Sequence, residues 1–187
     1  DIDPQHRRRN PNDVSGGGLI THLTMWAETD EGLVNLMKAS TDANLEGRVM
    51  RYPRMDKEIL AKYSKGIIAS SGCPSGIIQT RLLLGQFDEA LRAAGELQDI
   101  FGRDNFYIEF MDHGLKIEKQ VTDGLLDIAK KLNAPLLATN DSHYVRAEDA
   151  GSQDAMLCIN SGSTLDEPGR FKFDGTGYYL KSAEEMR

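Results

Sequence analysis

One pattern recurs along this chain and restricts its fold more than any other: a short apolar run, a turn of small residues, then an amphipathic helix. Residues 66–70 are compact and apolar, and Ser71-Gly72-Cys73-Pro74-Ser75-Gly76 leads from them into a helix expected over about 75–84. Residues 105–111 alternate Phe106, Ile108 and Phe110 against Tyr107, Glu109 and Met111, and end at Asp112-His113-Gly114. A helix over 116–132 follows, with Ile117, Val121, Leu125, Ile128, Ala129 and Leu132 at inward spacing. The third unit is Leu136-Leu137-Ala138-Thr139-Asn140-Asp141-Ser142-His143-Tyr144, whose apolar start has no helical period and reads as a buried parallel strand. Repeated units of this kind imply an α/β fold, mostly parallel strands with helices outside.

In such folds chemistry collects at the C-terminal ends of strands, so the residues placed there are the candidates. Asp141 and His143 lie two apart, and side chains two apart on a strand share a face. A carboxylate and an imidazole on one face can both reach one cation. The alternative is that Asp141 caps the next helix and His143 is a loop residue. Cys73 sits just past the 66–70 strand, where it is either a small buried hydrophobe or a ligand. His22 falls inside residues 19–27, which read as a strand buried on both faces, and is either a hydrogen-bonded core residue or a ligand.

The remaining segments fill in the organisation. Residues 1–18, with Arg7-Arg8-Arg9 and Gly16-Gly17-Gly18, read as a flexible basic, glycine-rich loop. Helices are expected at 31–43, 55–65, 86–101 and 146–160. Residues 171–180 alternate around Asp174-Gly175 and are expected to form a hairpin, with a helix starting at 181–186. A chain opening on the one and closing inside the other is expected to belong to a longer polypeptide, with boundaries at 1–18, 19–165 and 166–187. Truncation of a sheet would leave an unpaired edge near 19–26, and unpaired edges template self-association.

Composition narrows the classes. With 187 residues, 40% hydrophobic, 27% charged and a net charge of -7, the chain is globular material of about one domain. No apolar run reaches the roughly 18 residues of a membrane span, and Cys73 and Cys158 form no CxxC pair, so a reducing, cytoplasmic setting is expected. The acidic balance argues against a protein whose whole surface binds nucleic acid.

Several motifs in fixed order carry a resemblance. Ser71-Gly72-Cys73-Pro74-Ser75-Gly76, Gln79-Thr80-Arg81, Gly85-Gln86, Met111-Asp112-His113-Gly114-Leu115, Thr139 to Tyr144, Arg170 to Phe173 and Tyr178 to Lys181 resemble the family of bacterial DNA polymerase III alpha subunits, in actinobacterial style. The segment is similar to the later part of their polymerase-and-histidinol-phosphatase (PHP) domain and the entry to the polymerase palm. The resemblance implies a distorted (β/α)7 barrel, here incomplete, with a cluster of up to three metal ions at its strand ends. By position, His22, Cys73, Asp141 and His143 match family metal ligands. The family's opening HxH, Thr-Asp-His-Gly and Gly-Val-Glu segments have no counterpart here.

The function the resemblance implies is DNA-directed DNA synthesis by the intact subunit, with DNA primer-template and the other polymerase III subunits as partners. Within it the PHP domain would be a metal-dependent 3′-5′ exonuclease or a scaffold. Four ligand positions alone do not build a multinuclear cluster, so no catalytic residue is assigned within this chain and a scaffold is favoured for it in isolation. Mixed His, Cys and Asp donors suit zinc best, with manganese or iron where carboxylates dominate. Nucleotidyl transfer would rest on palm carboxylates outside the chain.

Overall fold

A computed structural model describes residues 20–48 and 53–187. The expected loop at 1–18, and Leu19 of the first expected strand, lie outside the described residues. The chain divides into two compact units: one runs up to Phe110 and takes in Gln120–Leu137, and the other comprises Met111–Lys119 with Ala138–Arg187.

In the first unit β1 (Thr24–Ala27), β2 (Ile67–Ser70), β3 (Phe106–Phe110) and β4 (Leu136–Ala138) form one sheet in that order. β2 and β3 are parallel, with Ala69 opposite Phe106 and Ser70 opposite Tyr107. The ladder bonds run from Ala69 N to Asn105 O at 2.8 Å and from Ser71 N to Tyr107 O at 3.0 Å. The expected adjacency of the 66–70, 105–111 and 136–139 strands holds. β1 departs from the parallel expectation, pairing antiparallel with β2.

Two further expectations are corrected by the same sheet order. Residues 19–27 do not make a long strand buried on both faces: the strand is Thr24–Ala27, and Trp26 and Ala27 are exposed. β4 was expected to be buried, but Leu136 and Ala138 are exposed. Both strands end the sheet order, and an edge strand has one neighbour to cover it. The expected open edge is therefore present at β1 among the described residues.

Helices α1 (Asp30–Leu45), α2 (Lys57–Lys62), α3 (Ile77–Leu83), α4 (Phe87–Phe101) and α5 (Lys116–Leu132) fall where helical spacing placed them. α1 starts where Thr29 accepts the Gly32 N–H at 3.1 Å, with Asp30 and Glu31 in the first turn favoured by the helix dipole. α4 presents Ala90, Ala93, Ala94, Leu97 and Phe101 to the core, small residues that let the helix come close. These meet Ile67, Ala69, Phe106 and Ile108 of the strands and Val121, Leu125 and Ile128 of α5. Burial of this apolar area is the main stabilising term, at roughly 25 cal/mol per Å².

In the second unit the expected 146–160 helix is a 3-10 turn (Ala147–Asp149) continuing into α6 (Ala150–Ser161). Arg170, its side chain only 8% exposed, grips Asp154 with two guanidinium nitrogens at 2.6 Å each. That pairing holds the Asp154 carboxyl below the usual carboxylate range. Residues 171–180 are not a hairpin, and 183–186 form turns in place of the expected helix start. Tyr179 instead bridges in parallel to Tyr144. The alternating aromatics serve ring packing, Phe173 lying 4.9 Å from Tyr178 and 6.0 Å from Phe171, so no ladder is needed to explain them.

The glycines supply a test of this packing. A Cβ on Gly32 would stand 1.8 Å from Gly66 O, whereas one on Gly151, inside α6, would meet nothing within 4 Å. Gly32→Ala is expected to destabilise the chain by about 1–3 kcal/mol through overpacking. Gly151→Ala is expected to stabilise it by about 0.5–1 kcal/mol through helix propensity. Denaturant unfolding of both variants checks the pair.

Candidate metal centre

The four candidate ligands come together in two pairs. In the first unit His22 N donates to Ser75 O at 3.1 Å, and His22 forms a single parallel bridge with Gly76. This bonding lays the histidine against the small-residue turn, and its Nδ1 lies 3.3 Å from Cys73 Sγ. His22 is exposed and Cys73 half-buried, so neither is the core residue that a structural role would need. The turn itself is built for close approach: Gly72 has φ +77, with the His22 carbonyl 3.1 Å from where a Cβ would stand.

Beneath Cys73 lies a buried polar network. Gln79 of α3 donates through Nε2 to Gly72 O at 2.7 Å and to Ser71 Oγ at 3.1 Å. Glu109 N donates to Ser71 Oγ at 2.9 Å, and the Glu109 carboxylate accepts from Ser70 Oγ. Ser70, Ser71, Gln79 and Glu109 are all at most 4% exposed. In a buried setting such bonds fix the backbone firmly, because leaving any member unpaired costs about 1–3 kcal/mol.

In the second unit His143 Nε2 lies 3.5 Å from Asp141 Oδ1, with both side chains 39% exposed. Asp141 does not cap a helix: the next helical turn begins at Ala147 after Arg146, and Asp149 supplies its side-chain cap to Arg146 N at 3.0 Å. Asp141 holds φ at 42, in the left-handed region. Aspartate enters this region more readily than most residues with a Cβ, because its short side chain can bond locally, and the conformation marks a tight turn after β4.

Both pairs carry donor types that suit a cation. Two donors bound at about 2.0–2.3 Å to one tetrahedral zinc stand roughly 3.3–3.7 Å apart. The Asp141–His143 separation of 3.5 Å falls in this range, whereas a nitrogen and a sulfur on one zinc stand about 3.5–3.6 Å apart, so His22 and Cys73, at the 3.3 Å of a hydrogen bond, would open slightly to share a cation. Each pair supplies two donors, and among the described residues no group of three or more His, Cys, Asp or Glu side chains is arranged to hold a metal ion.

Sequence reasoning passed over a third histidine. His113, its side chain only 3% exposed, sets Nδ1 2.6 Å from Glu118 Oε1 and donates from Nε2 to Asn140 O at 2.9 Å. Its ring stacks on Tyr178 at 4.3 Å, and the Tyr178 edge meets His143 at 6.1 Å. Burial first, then the charges of Glu118, Asp141 and Asp174, push the Tyr178 phenol above its ordinary value. The available signal was an Asp-His-Gly turn closing a strand, with an acid in the first turn of the following helix.

The backbone at position 141 gives a direct test. Asp141→Gly removes the side chain and suits the left-handed conformation, whereas Asp141→Ala keeps the strain without the local bonds an aspartate makes. Thermal or denaturant unfolding is expected to find the Ala variant about 1 kcal/mol less stable than the Gly variant.

Residues 6–113 match the PHP domain family, a span that includes His22 and Cys73. The chain is 59% identical over 175 residues to the DNA polymerase III subunit alpha of Saccharopolyspora erythraea, covering 94% of this chain and 15% of that protein. The DNA polymerase III subunit alpha of Mycobacterium tuberculosis is 56% identical over 176 residues, again 94% of this chain and 15% of the relative. That of Thermus aquaticus is 40% identical over 180 residues, 96% of this chain and 14% of the relative. The chain thus spans about 15% of the length of the curated relatives it matches first. On the strength of the family match, the chain belongs to the PHP domain family.

Proposed function

We propose that this chain serves as the later part of the PHP domain in a bacterial DNA polymerase III alpha subunit, that its sheet is part of a (β/α)7 barrel, and that its two donor pairs bind divalent cations. The observation that carries the reading is the pairing of the donors, whose partners lie within 3.3 Å and 3.5 Å of one another, in a chain 59% identical to such a subunit over 175 residues. His22 contributes a neutral imidazole nitrogen, Cys73 a thiolate, Asp141 a negative charge and His143 a second imidazole. A bound cation would supply Lewis acidity at a scissile phosphodiester, which is what 3′-5′ removal of a mispaired nucleotide requires. The chain's own residues present the donors at half-exposed positions that a DNA end can approach, and hold them there through the turn at Gly72 and the bonds around Asn140. Zinc suits the cysteine-containing pair best, and manganese or iron the pair with the carboxylate.

A second reading, in which the chain is a scaffold and not a hydrolase, is favoured for the chain by itself, since each pair brings two donors and four ligand positions alone do not build the multinuclear cluster that hydrolysis would use. In either reading DNA and the other polymerase III subunits are the partners. The open β1 edge gives a route for self-association of the isolated chain.

Mismatch excision and primer extension, measured on the same intact alpha subunit, separate the readings. His143→Ala and Cys73→Ala are expected to lower excision by at least the roughly 100-fold that even outer partners of a metal can be worth. Primer extension is expected to persist. Excision at the parental rate in both variants overturns the hydrolytic reading, and unchanged metal content in both overturns the ligand assignment.

A further inference from the structure

The backbone around Asp141 is held from two sides, and the bonds that hold it identify a device for aiming a ligand. On one side His113 Nε2 donates to Asn140 O at 2.9 Å. On the other, Asn140 Nδ2 donates to Gly177 O and Tyr179 O at 2.7 Å each, and His143 N donates to Tyr178 O at 2.8 Å. Ser142 Oγ adds a bond to Tyr179 O at 3.1 Å. Asp141 is the residue between these anchors, and it is the one with a left-handed backbone.

The geometry makes the first bond specific in its effect. The Asn140 carbonyl and the Asp141 N–H belong to one peptide plane, and rotating that plane changes φ of Asp141 together with ψ of Asn140. A donor fixed on Asn140 O therefore opposes the rotation that would carry Asp141 out of the left-handed region. The donor itself is fixed: Glu118 accepts from His113 N at 2.8 Å, from Leu115 N at 3.2 Å and faces ring Nδ1 at 2.6 Å. Tyr178 clamps the ring by stacking at 4.3 Å. Because Nε2 faces a carbonyl, which only accepts, it carries a proton. Glu118 and the His113 side chain are at most 5% exposed, so the assembly is shielded from competing water.

We propose that the buried Glu118–His113–Asn140 network is a positioning device for the Asp141–His143 pair, with His113 acting through the Asn140 peptide to hold Asp141 at the angle from which it meets a cation. The inference rests on the reading that Asp141 and His143 bind one. Neither His113 nor Glu118 is a ligand in it. Both nitrogens of the ring and both oxygens of the carboxylate are already engaged. Groups that orient metal ligands are worth about 10–100-fold in metal affinity.

The experiment titrates Co(II), as the probe metal, into the full chain and follows its visible absorption together with the ring nitrogen signals of His143. Wild type is expected to bind with a signature that His143→Ala removes. His113→Phe keeps a flat ring against Tyr178 but removes the donor to Asn140 O. It is expected to raise the Co(II) dissociation constant about tenfold, and to have no further effect in an Asp141→Ala background. Asn140→Ala removes the opposite anchors and is expected to act in the same direction, which keeps the test decisive should the Phe variant not fold. A lower melting temperature with an unchanged Co(II) constant in the folded variants makes the network merely structural and overturns the inference alone. Wild-type binding indifferent to His143→Ala overturns the underlying metal reading, and the inference with it.

Discussion

The Glu118 carboxylate is the constraint on which the second unit's candidate site depends. One acid in the first turn of α5 takes two backbone N–H groups, from His113 and Leu115, and faces the His113 ring. It thereby closes the turn after β3 and sets the ring plane at once. From that plane follow the bond to Asn140 O and the stack on Tyr178. A buried carboxylate is costly unless its lone pairs are taken up, and here one oxygen accepts the His113 and Leu115 N–H groups while the other faces the His113 ring.

The first unit solves a related problem with an amide and two hydroxyls around another buried acid. The turn carrying Cys73 is held from below by Gln79 and the two serines, with Glu109 as the acid at the base. Parallel pairing of β2 with β3 is what brings Ser70 and Ser71 level with the strand that carries Glu109. Cys73, Asp141 and His143 stand on turns after strands and His22 just before one; the bonds that fix the Cys73 turn are buried, and those around Asn140 are part-buried. Exposed donors on a rigid base suit a ligand role, since a cation needs access and its ligands need fixed angles.

Much of this was legible in the sequence because it depends on local periodicity. The apolar stripes of α4 and α5, and the compact apolar runs of β2 and β3, are read directly from spacing and were found in place. Asp141 and His143 do lie 3.5 Å apart, but not for the strand alternation that was expected: β4 ends at Ala138, and a left-handed turn at Asp141 brings the two together. His22 and Cys73, which lie 51 residues apart, were each placed near a strand, but their mutual contact is a product of the fold. The antiparallel direction of β1 and the exposure of β1 and β4 depend on which strand ends the sheet, which no local pattern encodes. Residues 171–180 misled because alternating aromatics mean the same to a strand and to a ring stack; Phe173 and Tyr178 pack against His143 instead. His113 was passed over because its importance lies in partners at Glu118, Asn140 and Tyr178, which only the fold assembles.

The central claim is that these side chains bind a metal, and the environment of the metal itself tests it most directly. X-ray absorption at the zinc edge of the zinc-loaded chain reads the ligand atoms by distance. The account predicts a sulfur neighbour at about 2.3 Å beside nitrogen or oxygen at about 2.0–2.1 Å, with the sulfur contribution absent in Cys73→Ser. A shell of light atoms only, the same in wild type and Cys73→Ser, would contradict it.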